Sequence, residues 1–133
     1  MTEMTDRDQI RDLLAAYALA LDADDIDGCL GLFRDDAEFV VFGTTLSGPE
    51  RIRKMLSRAP RGMHLTGATL VDVQGSNATV RSQVLFVDSS THELRPALYD
   101  DDLTRANGRW RFRRRRCRVL TKAGLTEHPQ EAQ

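Results

Sequence analysis

The fold is decided by MHLTGATLVDV (63–73), QGSN (74–77) and ATVRSQVLFV (78–87). Both outer runs are rich in β-branched and apolar residues, and the middle one is a cluster of turn formers. Together they predict a long antiparallel hairpin. The pattern repeats downstream. After a polar connection from Asp88 to Arg95, Ala97 to Arg105 and Arg109 to Leu120 read as two more strands. Ala106-Asn107-Gly108 joins them, and Asn-Gly is a strong hairpin signal because it supplies the two left-handed residues such a turn needs.

Upstream the period changes. Ile10, Leu13, Leu14, Tyr17, Ala18 and Leu21 recur at helical spacing, so one apolar stripe runs to about Leu21. Thr5 is the expected N-cap, with Asp8 three residues on. Asp22-Ala23-Asp24-Asp25 interrupts the stripe, and Asp24 or Asp25 caps a short second helix carrying Ile26, Cys29, Leu30 and Phe33. Arg34-Asp35-Asp36 reads as a turn, Ala37 to Phe42 as a strand, and Gly43 to Pro49 as a loop. Pro49 suits the first turn of a third helix with Ile52, Met55 and Leu56 inward. Three helices followed by a meander predict an α+β fold: a cone-shaped α+β barrel, with the helices on a curved, mainly antiparallel sheet around an internal pocket. Such a pocket is a small-molecule cavity by default.

Composition fits one domain over 1–133, with a core of about 5–120 and a tail from 121 to 133 whose lack of periodicity reads as loose or held at an interface. The chain has 133 residues, 41% hydrophobic and 29% charged, enough apolar content for a core. With 19 Lys and Arg against 20 Asp and Glu, the net charge is -1, which argues against nucleic acid as a partner. No apolar run approaches the roughly 20 residues that cross a bilayer, and the polar, acidic start does not read as a secretory signal. Cys29 and Cys117 lack a CxxC spacing and read as free thiols of a cytoplasmic protein. The acidic run 22–28 lacks the Gly and closing Glu of a calcium loop. His64, His92 and His128 lack zinc spacing. No metal or cofactor is expected.

The order of elements and several strings resemble a known family. They are Ile10-x-x-Leu13-Leu14-x-x-Tyr17-Ala18-x-x-Leu21-Asp22, Leu32-Phe33-x-x-Asp36-Ala37, Gly48-Pro49-x-x-Ile52, His64 opening the first long strand, and Tyr99-x-Asp101 through Gly108-Arg109-Trp110-Arg111-Phe112. Jointly they resemble the SnoaL-like branch of the nuclear transport factor 2-like superfamily, over roughly Ile10 to Leu120. That branch includes scytalone dehydratase, bile acid 7α-dehydratase and lindane dehydrochlorinase beside non-enzymatic binding domains, so the fold does not settle the function.

His64 is the first candidate for chemistry, because an imidazole exchanges protons near neutral pH. Asp22, where the first helix ends, is the second. The resemblance implies that the two form an Asp–His dyad, as in scytalone dehydratase and lindane dehydrochlorinase, for cofactor-free β-elimination. Tyr17, five residues before Asp22, is similar in spacing to the Tyr of bile acid 7α-dehydratase, where the phenol would hold a substrate oxygen. Its other reading is the aromatic of the core stripe. The second tyrosine and second histidine of scytalone dehydratase have no match here, which argues against the same substrate.

Period 2 places Val40, Phe42, Val84 and Phe86 on the pocket wall. If Trp110 and Phe112 face inward, Arg114 follows them into the pocket, where Asp101, Asp22 or an anionic substrate supplies its counter-charge. Alternatively, Arg113 to Arg116 pair with Asp100-Asp101-Asp102 across the hairpin. Cys29 reads as core. The expected function is a cofactor-independent lyase or isomerase on a small apolar oxygenated molecule. The rival is a non-catalytic ligand-binding or dimerisation domain. An epoxide hydrolase needs two carboxylates bracketing an Arg, and a dioxygenase small subunit needs a large partner chain. A homodimer is expected through the outer sheet face, with Leu70, Val80, Leu98 and Val119 filling it.

Overall fold

The computed structural model describes residues 4–127. Residues 128–133 of the tail, with His128, lie outside the described residues. Helix α1 spans Asp6–Asp22. Thr5 Oγ1 accepts from the Asp8 amide at 3.1 Å and the Asp8 carboxylate accepts from the Thr5 amide at 3.3 Å, so each satisfies an otherwise unpaired helix-start donor. Helix α2 is Ile26–Leu30, capped by Asp25, and α3 is Pro49–Arg58. The strands are β1 Phe33–Val41, β2 Thr44–Ser47, β3 Gly62–Gln74, β4 Asn77–Asp88, β5 Leu94–Ala106, β6 Arg109–Thr121 and β7 Gly124–Thr126.

The sheet runs β2-β1-β6-β5-β4-β3, with β7 also on β6. Its neighbours are antiparallel except β1 and β6, which pair in parallel through Glu38–Val40 and Arg114–Arg116. The sheet is therefore mixed. It curves round α1, whose stripe Ile10, Leu13, Leu14 and Tyr17 is buried against Phe33, Phe39, Leu103 and Phe112. Cys29 is fully buried and Cys117 half-buried, and both are free thiols.

Three local readings are corrected. Phe33 and residues 34–36 are not helix and turn but the start of β1, whose register is irregular before Glu38. The loop after Phe42 contains β2. Phe42 (φ 54°) and Gly43 (φ 72°) form the tight left-handed turn between the strands. The tail folds back as β7, and Glu127 then bonds Arg116 at 2.7 Å.

The fourth correction concerns the arginines. Asp102 pairs with Arg114 but Leu103 pairs with Phe112, so Arg113 is an extra residue on β6. Such a bulge reverses the alternation beyond it. Trp110 and Phe112 face inward as expected, but Arg115, not Arg114, is the next buried residue, 2% exposed. Arg114 lies on the outer face among Arg81, Asp100, Asp102, Arg116 and Arg118.

Candidate active site

A cavity of about 340 Å³ opens between the sheet and the helices α1 and α3. Tyr17 and Leu21 of α1, Met55 of α3, Phe39 and Val41 of β1, Val84 and Phe86 of β4, and Tyr99, Cys117 and Val119 of β5 and β6 line it, with His64 at one side. Phe42, Val84 and Phe86 reach it as expected. Val40 does not. Phe39 and Val41 take the inward positions, and Val40 is buried facing away from the cavity. Trp110, expected among the substrate-binding residues, faces inward but does not reach the cavity. It sits in the core, where its indole N–H donates to Asp6 Oδ1 at 3.0 Å and closes the base of the fold. Phe42 is 48% exposed at the mouth. A bulky side chain in the left-handed region costs about 1–2 kcal/mol, and here that backbone turns an aromatic ring toward the opening.

The structure brings Asp22 and His64 together. Asp22 ends α1, at the negative end of the helix dipole where a carboxylate is disfavoured. Three contacts to His64 offset this. Its Oδ1 lies 2.7 Å from His64 Nδ1, and its two oxygens accept the His64 backbone N–H at 3.1 and 3.0 Å. A carboxylate only accepts, so Nδ1 carries a proton, and in the neutral imidazole Nε2 then keeps its lone pair. The imidazole packs against Phe86, ring centroids 4.7 Å apart. Two local features hold the strand there. Asp24, with φ 61°, takes the Arg61 guanidinium at 2.6 Å and ties the end of α1 to the start of β3. Gly62 runs so close to β4 that a Cβ would lie 2.1 Å from the Val87 carbonyl oxygen. Gly62→Ala is therefore expected to push β3 away and destabilise the fold by about 1–3 kcal/mol. It should also lower any His64-dependent rate, as melting and turnover measured together will show.

Tyr17 holds the core position of the stripe and also borders the cavity. It belongs to the buried stripe of α1, edge-on to Phe33 and Phe112, and it also lines the cavity. Burial drives its phenol pKa far above the ordinary tyrosine value, against the opposing pull of Arg115. It stays protonated, and its hydroxyl finds no hydrogen-bond partner among the described residues. It can therefore act as a donor into the cavity.

Sequence reasoning missed Arg115. Its guanidinium lies 4.3 Å from the centroid of Tyr17, 4.4 Å from Tyr99 and 4.6 Å from Phe112, a cation in a cage of three rings. Its Nε is 3.4 Å from Asp101 Oδ1, and both side chains are almost wholly buried. Burial pushes the Asp101 carboxyl up to about 6, with Arg115 opposing. Asp101 is the counter-charge expected of an inward arginine, on the neighbouring residue from the one foreseen. It is the one carboxylate within 4 Å of Arg115 among the described residues, so the two-carboxylate bracket of an epoxide hydrolase is not formed there. Cys29 donates weakly to the Tyr17 carbonyl at 3.8 Å, and burial, then Asp25, pushes its thiol up to about 11, away from nucleophile chemistry. Among the described residues no three His, Cys, Asp or Glu side chains converge as a metal site requires.

A curved sheet closed by three helices over a pocket defines the class of cone-shaped α+β domains. Residues 2–116 match the SnoaL-like domain, and the chain belongs to that family. No curated protein matches it. Among solved structures, it is similar to a protein of unknown function from Mycobacterium tuberculosis. The two share 31% identity over 84% of this chain and 69% of that one, with a TM-score of 0.78. A scytalone dehydratase candidate from Novosphingobium aromaticivorans shares 24% identity over 90% and 85% of the two chains, TM-score 0.76. A hexachlorocyclohexane dehydrochlorinase shares 20% over 86% and 85%, TM-score 0.75. These last two likenesses are of fold. No helix among the described residues is long and apolar enough to cross a membrane.

Proposed function

We propose that the cavity is the active site of a cofactor-free lyase or isomerase acting on a small, largely apolar, oxygenated molecule. The 2.7 Å bond between Asp22 and His64 Nδ1 carries this reading, because it makes Nε2 a base at the wall of an apolar cavity. His64 Nε2 takes a proton from a substrate carbon. The C–H electron pair becomes the new C=C bond as the bond to the β-hydroxyl or β-halide breaks, and the leaving group departs with that bond's pair. For an isomerase the pair passes into an adjacent carbonyl, and the proton returns at another carbon. Asp22 stabilises the imidazolium, and Tyr17 donates to the developing negative oxygen. The test is turnover of hydroxylated and halogenated ring compounds, followed by ultraviolet absorbance of the new double bond and by deuterium uptake from solvent. Wild-type protein that binds such compounds in the cavity yet neither eliminates nor exchanges would leave the rival reading, a ligand-binding domain.

We also infer that two copies pair through the outer sheet face. Register places exposed Met63 beside Val87 and Leu94, and exposed Leu65 beside Leu85 and Pro96. Next to this apolar end lies a lattice in which Asp100 binds both Arg81 and Arg118. Of the four residues expected on that face, exposed Leu70 and half-buried Leu98 belong to it. Val80 and Val119 are buried inside the cone. Light scattering should give twice the chain mass, and Leu85→Arg should halve it. A wild-type monomer at micromolar concentration would refute the pairing.

A further inference from the structure

The cavity does not end at Phe42. A groove of about 310 Å³ adjoins it, and the two share Val41, Phe42, Met55 and Arg58 as lining. The groove runs over α3, where Arg51, Lys54 and Arg58 fall at i, i+3 and i+7 on one face. Ile52 and Leu56 fill the core from the opposite side, and Arg53 turns away to Asp27 at 2.7 Å. Arg95 of β5, also exposed, lines the same cavity as Arg58.

These four cations have no carboxylate within ion-pair distance among the described residues, in a chain of net charge -1. Three acids nearby have other partners. Glu127, at the mouth, is held by Arg116 at 2.7 Å. Asp88 accepts from the amides of Ser90 and Thr91 at 2.8 and 3.2 Å, and it faces Arg95 only through space, beyond ion-pair distance. Asp24 is held by Arg61. Glu50, the single acid of α3, makes no ion pair with Lys54 four residues on. By contrast Arg34, Arg53, Arg61, Arg81, Arg105 and Arg118 each sit within 3.0 Å of an Asp. Four cations without an ion-paired acid thus line the place where an apolar cavity opens to solvent, which favours an anion at that point.

We propose that the substrate is an amphiphile. Its apolar, oxygenated head fills the cone, and its anionic tail, carboxylate or phosphate, leaves past Phe42 and lies along α3. Arg58 and Arg95 hold the tail at the mouth, and Lys54 and Arg51 hold a longer tail beyond it. Arg51 to Arg58 span roughly 10 Å of helix, so a tail bearing more than one charge can meet all the cations. This substrate class rests on the reading of the cavity as the site of the head.

Calorimetric titration of the full chain with decanol, decanoate and decyl phosphate at low salt tests it. Decyl phosphate is expected to bind on the order of tenfold tighter than decanol, with decanoate between, and salt should shrink the difference. Arg58→Glu with Arg95→Glu should bring the three affinities together. Lys54→Glu should act on the dianion more than on the carboxylate. All these side chains are exposed, and circular dichroism will show that the variants fold. Equal binding of decanol and decyl phosphate, or a preference that survives the double reversal, overturns the anionic tail. The cavity reading survives that result so long as decanol binds. Binding of none of the three overturns both.

Discussion

Replacing His64 with Gln is expected to lower turnover by about a hundred- to ten-thousand-fold, since it removes the base and leaves the cavity wall intact. Asp22→Asn should fall in the same range for a different reason. Its amide oxygen can still accept the His64 backbone N–H, but it brings no charge to stabilise the imidazolium and does not enforce the Nδ1–H tautomer. Stability should barely change. Asp22 stands at the negative end of α1, so removing its charge relieves a dipole term of about 0.3–1 kcal/mol even as the bond to His64 weakens. Rates near wild type in both variants, with a substrate in hand, would end the dyad reading.

The second large effect lies under the cavity floor. Asp101→Leu should destabilise the fold by about 3–5 kcal/mol, because it leaves Arg115 charged, dry and without its counter-ion. The expected drop in melting temperature is about 10 °C or more. Adding Arg115→Met should restore most of it, since a thioether packs well against the three rings that now hold the guanidinium. If single and double variants melt alike, the pair is not coupled. The wild-type pair also has a pH signature. With its folded pKa raised to about 6 from 3.8, Asp101 binds an extra proton in the native state between those values. Its contribution is therefore full below about pH 4 and is lost as pH rises through 6. Wild type should lose stability relative to Asp101→Asn over that window, as chemical denaturation at stepped pH will show.

The sequence carried the helices plainly. The stripe from Ile10 to Leu21 has one period, and Thr5 with Asp8 marks its start. Asn107-Gly108 marks a hairpin that forms as read. What failed, failed where neighbouring residues are alike. Phe39-Val40-Val41-Phe42 is apolar at every position, so alternation gives no phase, and burial on both faces of β1 erases it further. Four arginines in a row hide which one is extra, so the bulge could not be placed. The parallel pairing of β1 with β6 leaves no local mark, because it joins segments some 75 residues apart. The Asp22–His64 contact spans 42 positions and came from family resemblance, not from spacing. Arg115 was reachable in principle, since an inward arginine with an acid opposite was foreseen. Only its number depended on the bulge.

That run of identical residues has a consequence for how the chain tolerates changes of length. Losing one arginine codon anywhere from 113 to 116 yields the same protein, with three arginines between Phe112 and Cys117. In a regular strand, Phe112 then points in, the middle arginine points in, and Cys117 and Val119 keep their side. The shortened strand still offers an arginine to Asp101 and still meets Tyr99 with Cys117, as the longer one does. Most single-residue deletions in a central strand throw every later side chain to the wrong face. Here the insertion and its absence are both in frame with the interior, so the length of this strand is free to drift by one residue without disturbing the cavity floor.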